Sequence, residues 1–159
     1  MLATIRGHIR KQPQFVLGLH GIFDSFPANC PDAVNHPIWA AFQSQLSRSI
    51  EVEWQIEPVR FDAVKITKEA PKHSRKDRYD QMKSVGVWKQ HRLSLVDLGI
   101  YDFEVASQFG RYCDGVILVL AAGRSAGAKR IEQLHNHNIP WLGYWNMEVQ
   151  SLPQLQKVG

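Results

Sequence analysis

The sequence predicts a single three-layer α/β domain built on a mostly parallel sheet of about five strands. Short apolar runs alternate along the chain with amphipathic segments of about ten residues, an order typical of right-handed crossovers between parallel strands. One run, Gly115–Ala121, is continuously apolar and rich in β-branched residues. Such a run is typical of a strand that is buried on both faces of a parallel sheet.

The predicted strands follow from apolar or alternating runs. They are Gln14–Leu19, Val52–Val59, Leu93–Leu98, Gly115–Ala121 and Trp141–Trp145. The predicted helices follow from apolar residues at i, i+4 spacing. The first predicted helix begins at Pro37 and has Ile38, Phe42, Leu46 and Ile50 along one side. The others are Tyr79–His91, Phe103–Cys113 and Ala126–Asn136.

Three segments fall outside this pattern. Residues 1–12 are expected to form a short helix or a loose N-terminal arm, and residues 62–78 an irregular basic excursion. His20–Pro37 is expected to be a loop, because Gly21 and three prolines interrupt it. A loop of that length in a compact domain is typical of a functional segment.

Size and composition bound the class of protein. The 159 residues fit one domain spanning residues 1–159 and can bury a core without disulfides or metals. Cys30 and Cys113 match no metal-ligand spacing, so they are expected to be free, inert thiols. With no apolar run long enough to span a membrane and no secretory signal at the N-terminus, the sequence predicts a cytoplasmic protein.

The net charge of +4 is unevenly placed. Residues 65–92 hold nine lysines or arginines against three acids, a local charge of +6. Such a segment can attract an acidic partner or surface phosphate, or it can be a solvated helix face. Nucleic acid is not the expected partner, because aromatic residues are not interleaved with the basic ones.

Two residues at strand ends are candidates for chemistry. Asp97 ends a predicted strand, where a carboxylate can hold Mg²⁺ beside a phosphate or can cap a helix. Ser125 lies in Gly123-Arg-Ser-Ala-Gly127, which matches the G-x-S-x-G pattern of hydrolase nucleophiles. The histidines that follow Ser125, His135 and His137, come too early in the chain for the usual catalytic base.

Other candidate ligand-binding residues flank the same edge of the predicted sheet. They are His20, Gly21 and Asp24 after the first strand, Gly123 and Arg124 beside Ser125, and Asn146 after the last strand. His20, Asp24 and His36 could together hold a metal, but their spacing is not diagnostic, and no metal site is predicted. No lysine occurs between residues 12 and 64, so the phosphate loop of a nucleotide-binding protein is incomplete.

Three stretches in residues 92–146 carry a family resemblance. They are Leu95-Val-Asp97-Leu-Gly, Asp114-Gly-Val-Ile-Leu-Val-Leu-Ala-Ala-Gly-Arg-Ser125 and Leu142-Gly-Tyr-Trp-Asn146. They resemble the last third of the MinD/ParA-type P-loop ATPases, and most of all the bacterial tyrosine autokinases of polysaccharide synthesis. The resemblance implies a P-loop-like or Rossmann-like fold, with Asp97 at the metal and Asn146 near the nucleotide base.

The N-terminal half departs from that family. Gly21-Ile-Phe-Asp-Ser-Phe stands where the family has its Gly-Lys-Thr core. The resemblance therefore implies a degenerate domain without ATPase activity that binds a protein partner or small ligand, with a tie to surface-polysaccharide synthesis. Two alternatives stay open. One is a small hydrolase with Ser125 as nucleophile, and the other is a nucleotide-binding protein with Mg-nucleotide as its cofactor and an atypical phosphate loop.

Overall fold

The computed structural model describes residues 2–23, 37–69, 75–100, 103–121 and 124–146. Five strands and six α-helices alternate along them. In chain order they are α1 (Leu2–Arg10), β1 (Phe15–Phe23), α2 (Pro37–Trp54), β2 (Val59–Asp62), α3 (Ala63–Glu69), α4 (Arg75–Trp88), β3 (Leu93–Ile100), α5 (Phe103–Phe109), β4 (Gly115–Ala121), α6 (Arg124–Asn136) and β5 (Trp141–Asn146). A single 3₁₀ turn, Gly110–Tyr112, follows α5.

All five strands are parallel and lie in the order β2-β3-β1-β4-β5. Helices cover both faces of the sheet. We call the two faces the α2 face, which α1 and α2 cover, and the α5 face, which α3, α4, α5 and α6 cover. The predicted three-layer α/β fold with a parallel sheet is therefore confirmed.

Each face buries its own apolar core. On the α2 face, Leu17 and Leu19 of β1 pack beneath Phe42 and Leu46 of α2. On the α5 face, Trp88 of α4 belongs to the second core, which also contains Val96 and Phe109. Because β1, β3 and β4 are covered on both faces, their residues are buried almost throughout, as the apolar run of β4 predicts.

The prediction of a strand over Val52–Val59 is wrong. Helix α2 continues to Trp54 and ends at Gln55, whose φ is 55° and whose N–H bonds to the carbonyl of Glu51 at 3.1 Å. Trp54 extends the buried helical stripe of Ile50 by one turn, while Val52 is exposed. Of the alternating apolar residues, only Trp54 lies on the helical stripe, because it follows Ile50 at i+4 spacing. The strand β2 begins only at residue 59.

Three further boundaries differ from the predictions. The loop predicted from His20 does not begin there, because β1 continues through Gly21 to Phe23. Residues 24–36 lie outside the described residues. Residues 2–10 form helix α1, whose Ile5 and Ile9 are buried, so the helix and not the loose arm is present. The predicted irregular excursion at residues 62–78 contains α3 and the start of α4.

Asp114 fastens the start of β4 to β1. Its Oδ2 accepts the N–H of Val16 at 2.7 Å, and its own N–H donates to the carbonyl of Val16 at 2.8 Å. This reciprocal pair continues the parallel ladder one step before Gly115. The first residue of the stretch that carries the family resemblance is thus a structural residue of the sheet. None of the described helices has the length and apolarity needed to cross a bilayer.

Gly18 sits where the sheet and the α5-face core leave no room for a side chain. A Cβ added there would lie 2.7 Å from Leu98 Cδ1, 3.0 Å from Cys113 Sγ and 3.1 Å from Val116 Cγ2. We expect Gly18→Ala to lower the free energy of unfolding by about 1–3 kcal/mol through overpacking, measured by urea denaturation. Gly7→Ala is the matched control, because a Cβ on Gly7 of α1 meets nothing within 4 Å. An equal effect of the two substitutions would contradict this account.

Candidate functional site

The connectivity places a ligand crevice at the carboxyl ends of β1 and β4. The connection after β1 runs through α2 on one face, whereas the connection after the neighbouring β4 runs through α6 on the other. Ligands of open parallel sheets bind at such a switch point. The segments that follow these two strands, 24–36 and 122–123, lie outside the described residues. The described part of the site consists of the neighbouring strand ends and helices.

Asp97 is held on the α2 face by three donors. Its Oδ1 accepts Trp39 Nε1–H at 3.1 Å and the N–H of Gly99 at 2.7 Å, and its Oδ2 accepts Gln43 Nε2–H at 3.1 Å. Trp39 and Gln43 are one helical turn apart on α2, so both point at the strand below. Both oxygens of Asp97 therefore accept hydrogen bonds within the protein, which use three of the roughly four acceptor sites of a carboxylate.

The environment of Asp97 disfavours its charge. Burial raises the pKa of this carboxyl above its ordinary value of 3.8. The hydrogen bond from Gly99 opposes that shift, and the nearby carboxylate of Asp62 adds to it. Asp62 lies beside Asp97 in the pairing of β2 with β3, where it also accepts the N–H of Lys65 at the start of α3.

Gly99 connects the two faces of the sheet. The φ angle of Gly99 is +82°, in the left-handed region that favours glycine. The N–H of Gly99 donates to Asp97, and its carbonyl accepts His20 Nδ1–H at 2.9 Å. Here the pairing of β1 with β3 shifts register between Leu19 and Gly21. The two backbone groups of Gly99 thus hold the irregular end of β3 on both faces of the sheet.

His20 is fully buried on the α5 face. Because Nδ1 donates to a carbonyl, Nε2 of the neutral ring is an acceptor, and Arg130 Nη1 of α6 lies 2.6 Å from it. The guanidinium of Arg130 stacks over the ring of Phe103 at 5.0 Å, and that ring meets His20 edge-on at 6.3 Å. His20 is therefore held as one tautomer between β3 and α6.

His20 and Asp97 lie on opposite faces of the sheet, although they share Gly99 as a partner. Leu19, not His20, is the residue of β1 in register with Asp97. The two side chains therefore do not form a hydrogen-bonded acid–base pair. Among the described residues, no group of three or more His, Cys, Asp or Glu side chains is placed to hold a metal ion. Asp24 and His36 lie outside the described residues.

The remaining predicted site residues are spread along the carboxyl edge. Gly21 is a packing glycine, since a Cβ there would lie 2.7 Å from Ile100 Cγ2 and 3.0 Å from Trp39 Cζ3. Gly123 lies outside the described residues. Arg124 and Ser125 open α6, where only their backbone is described. Asn146 ends β5 opposite Leu120 of β4, and its side chain is exposed.

The histidines after Ser125 are poorly placed to act as its base. His135 follows Ser125 by ten residues within the same helix, α6, a separation of about 15 Å along the axis. His137, just beyond the helix, bonds through Nδ1 to the carbonyl of Gln133 at 2.9 Å and packs against Phe103. These positions argue against a hydrolase in which His135 or His137 activates Ser125.

Several residues that build this edge were not among the sequence candidates. Arg130 of α6 is partly buried against His20 and Phe103. Gln43 has a weak sequence signal, because it is a polar residue one turn after Trp39 on an otherwise apolar stripe. Cys113 is a free, buried thiol whose pKa is raised by burial, which agrees with the inert role expected. Cys30 lies outside the described residues.

The fold and this edge define a three-layer α/β protein with an all-parallel sheet and a switch point beside β1. No protein-family model matches the sequence, and none of the curated proteins is significantly similar to it.

The role of Asp97 can be tested with a neutral isostere. Because the native pKa of Asp97 is raised, the native state binds this proton more tightly than the unfolded state. The free energy of unfolding should therefore contain a component that falls as the pH rises from 3.8 through the native pKa. Asp97→Asn should abolish that component, which chemical denaturation over a pH series would measure.

Asp97→Ala is the matched comparison. It leaves the donors of Trp39, Gln43 and Gly99 without their acceptor and should lower the free energy of unfolding by about 1–3 kcal/mol at neutral pH. Like Asp97→Asn, it also removes the pH-dependent component. Asp97→Asn keeps an acceptor oxygen and should be less destabilising at neutral pH. If Asn and Ala destabilise the protein equally, then the carboxylate charge itself is required, and the structural account of Asp97 is wrong.

Proposed function

We propose that this chain is a P-loop-like domain that does not hydrolyse ATP and acts by binding a partner or small ligand at the carboxyl edge of its sheet. The observation that carries the proposal is the state of Asp97. In the family that residues 92–146 resemble, the corresponding aspartate serves the metal. Here both Asp97 oxygens accept hydrogen bonds from Trp39, Gln43 and Gly99.

The end of β1 supports the same proposal. A phosphate loop needs a lysine and a glycine-rich backbone cradle, but the chain has no lysine between residues 12 and 64. Gly21 is enclosed by Ile100 and Trp39 within the strand, so its lack of a side chain serves packing. His20 faces away from Asp97 and is bonded to Gly99 and Arg130.

The proposed binding region is the crevice at the ends of β1 and β4, bordered by Asn146 and by the first turn of α6. Helix N-termini favour anionic groups, so a ligand with a phosphate or carboxylate suits this place. The second candidate is a free nucleotide that is bound without being hydrolysed, because its phosphates are also anionic. The proposed tie to surface-polysaccharide synthesis rests on the sequence resemblance alone. It indicates where a protein partner would be sought.

An ATPase assay tests the proposal directly. We expect purified protein with Mg-ATP to release no phosphate above the buffer rate, and Asp97→Asn to change nothing, because Asp97 does not serve a metal. Phosphate release that disappears in Asp97→Asn would refute the proposal. Gln43→Leu, which removes one donor to Asp97 but keeps the carboxylate, controls for loss of activity through altered packing.

A thermal-shift titration separates the two kinds of ligand. A nucleotide at 100 times its Kd should stabilise the protein by about 2.7 kcal/mol. Stabilisation by Mg-ATP or Mg-GTP without hydrolysis would identify the nucleotide as the ligand. If millimolar nucleotide has no effect, a protein partner or another small ligand remains as the occupant of the edge.

A further inference from the structure

Helix α4 carries an exposed stripe that its own packing does not explain. Val85 and Trp88 attach the helix to the α5-face core. On the opposite side Tyr79 is 70% exposed and Met82 is 50% exposed. Tyr79, Met82, Lys83 and Gly86 follow i, i+3, i+4, i+7 spacing and so share one side of the helix. We call these four residues the α4 stripe.

Gly86 is the unusual member of the stripe. It lies inside α4, two residues before its end, and a Cβ added there would meet nothing within 4 Å. A glycine inside a helix costs about 0.5–1 kcal/mol relative to alanine. Nothing in the described packing requires that cost, in contrast to Gly18 and Gly115, whose neighbours leave no room. The space where a side chain would stand at Gly86 is therefore open, on the exposed side of α4 and one turn after Met82. We call this gap the notch.

The segment around the stripe is predominantly basic, although Asp80 beside the stripe is also exposed. Lys83 and Lys89 are exposed, and the segment 65–92 that contains α4 has a net charge of +6. An exposed tyrosine and a flexible methionine are side chains that often anchor protein partners. The stripe therefore combines apolar anchors, a notch and a surrounding positive charge.

We propose that the α4 stripe docks an acidic amphipathic helix of a partner protein. The positive charge of the segment selects an acidic partner and speeds its encounter, while Tyr79 and Met82 receive its apolar face. The notch at Gly86 lets the backbone of the second helix approach closely. This occupant is favoured over a membrane surface for two reasons. A notch in a helix gives no advantage in binding lipid. Asp80, next to the stripe, is exposed and would be repelled by anionic headgroups.

The proposal can be tested with a defined probe. The probe is a fluorescein-labelled peptide of about 21 residues with leucine at heptad positions a and d and glutamate elsewhere. Its binding to the full-length chain is followed by fluorescence anisotropy. We expect it to bind at least about tenfold more tightly than a scrambled peptide of the same composition, since only the amphipathic peptide presents a continuous apolar face.

Substitutions on the stripe separate docking from simple charge attraction. Gly86→Leu fills the notch and should weaken peptide binding about tenfold, as should Met82→Ser. Lys83→Glu should weaken it as well, whereas Lys129→Glu, at an exposed lysine of α6, and Val52→Ser, at an exposed valine of α2, should leave it within about twofold. Leucine is a better helix former than glycine, so the Gly86→Leu protein should keep its melting temperature.

The outcomes that overturn the proposal are distinct. Unchanged binding in Gly86→Leu, or equal losses in Lys83→Glu and Lys129→Glu, would mean nonspecific charge attraction. Preferential sedimentation with phosphatidylserine vesicles, or tighter binding of a single-stranded oligonucleotide than of the peptide, would replace the helix by a membrane or a nucleic acid. The test does not depend on what occupies the carboxyl edge, because no arm of it uses a nucleotide or alters Asp97.

Discussion

The backbone N–H and carbonyl of Gly99 are held from opposite faces of the sheet. From the α2 face, Asp97 accepts its N–H, and from the α5 face, His20 donates to its carbonyl. Asp97 in turn binds Trp39 and Gln43 of α2, while His20 meets Arg130 of α6. The two helical layers are therefore connected through the backbone N–H and carbonyl of one residue at the end of β3.

This connection explains why a parallel core tolerates two titratable side chains. An unpaired buried polar group costs free energy, and a buried charge costs more. Each polar atom of Asp97 and of the His20 ring has a partner, and such fully bonded networks favour one arrangement of the chain over others. The left-handed backbone at Gly99 is the local condition that allows its N–H and carbonyl to reach opposite partners.

The sequence predicts the fold well where burial sets the pattern. The apolar run of β4 and the helical stripe from Ile38 to Ile50 are recognisable because burial imposes a period on them. It fails at Val52–Trp54, where Trp54 also continues the i, i+4 stripe of the preceding helix, and at Gly21, where a glycine needed for packing looks like a turn residue. The roles of Gly99, Gln43 and Arg130 could not be predicted, because they arise from contacts between residues distant in the chain.

A polar residue at a strand end can have either of two uses. Polar residues there can face a ligand or can satisfy the backbone of the sheet, and their internal partners distinguish the two uses. Asp114 pairs with both polar groups of the Val16 backbone, and Asp97 is bonded through both oxygens. Neither aspartate has to be explained by a ligand. Both aspartates are therefore explained by how the sheet is built, and the surfaces proposed for binding are the crevice beside β1 and β4 and the exposed side of α4.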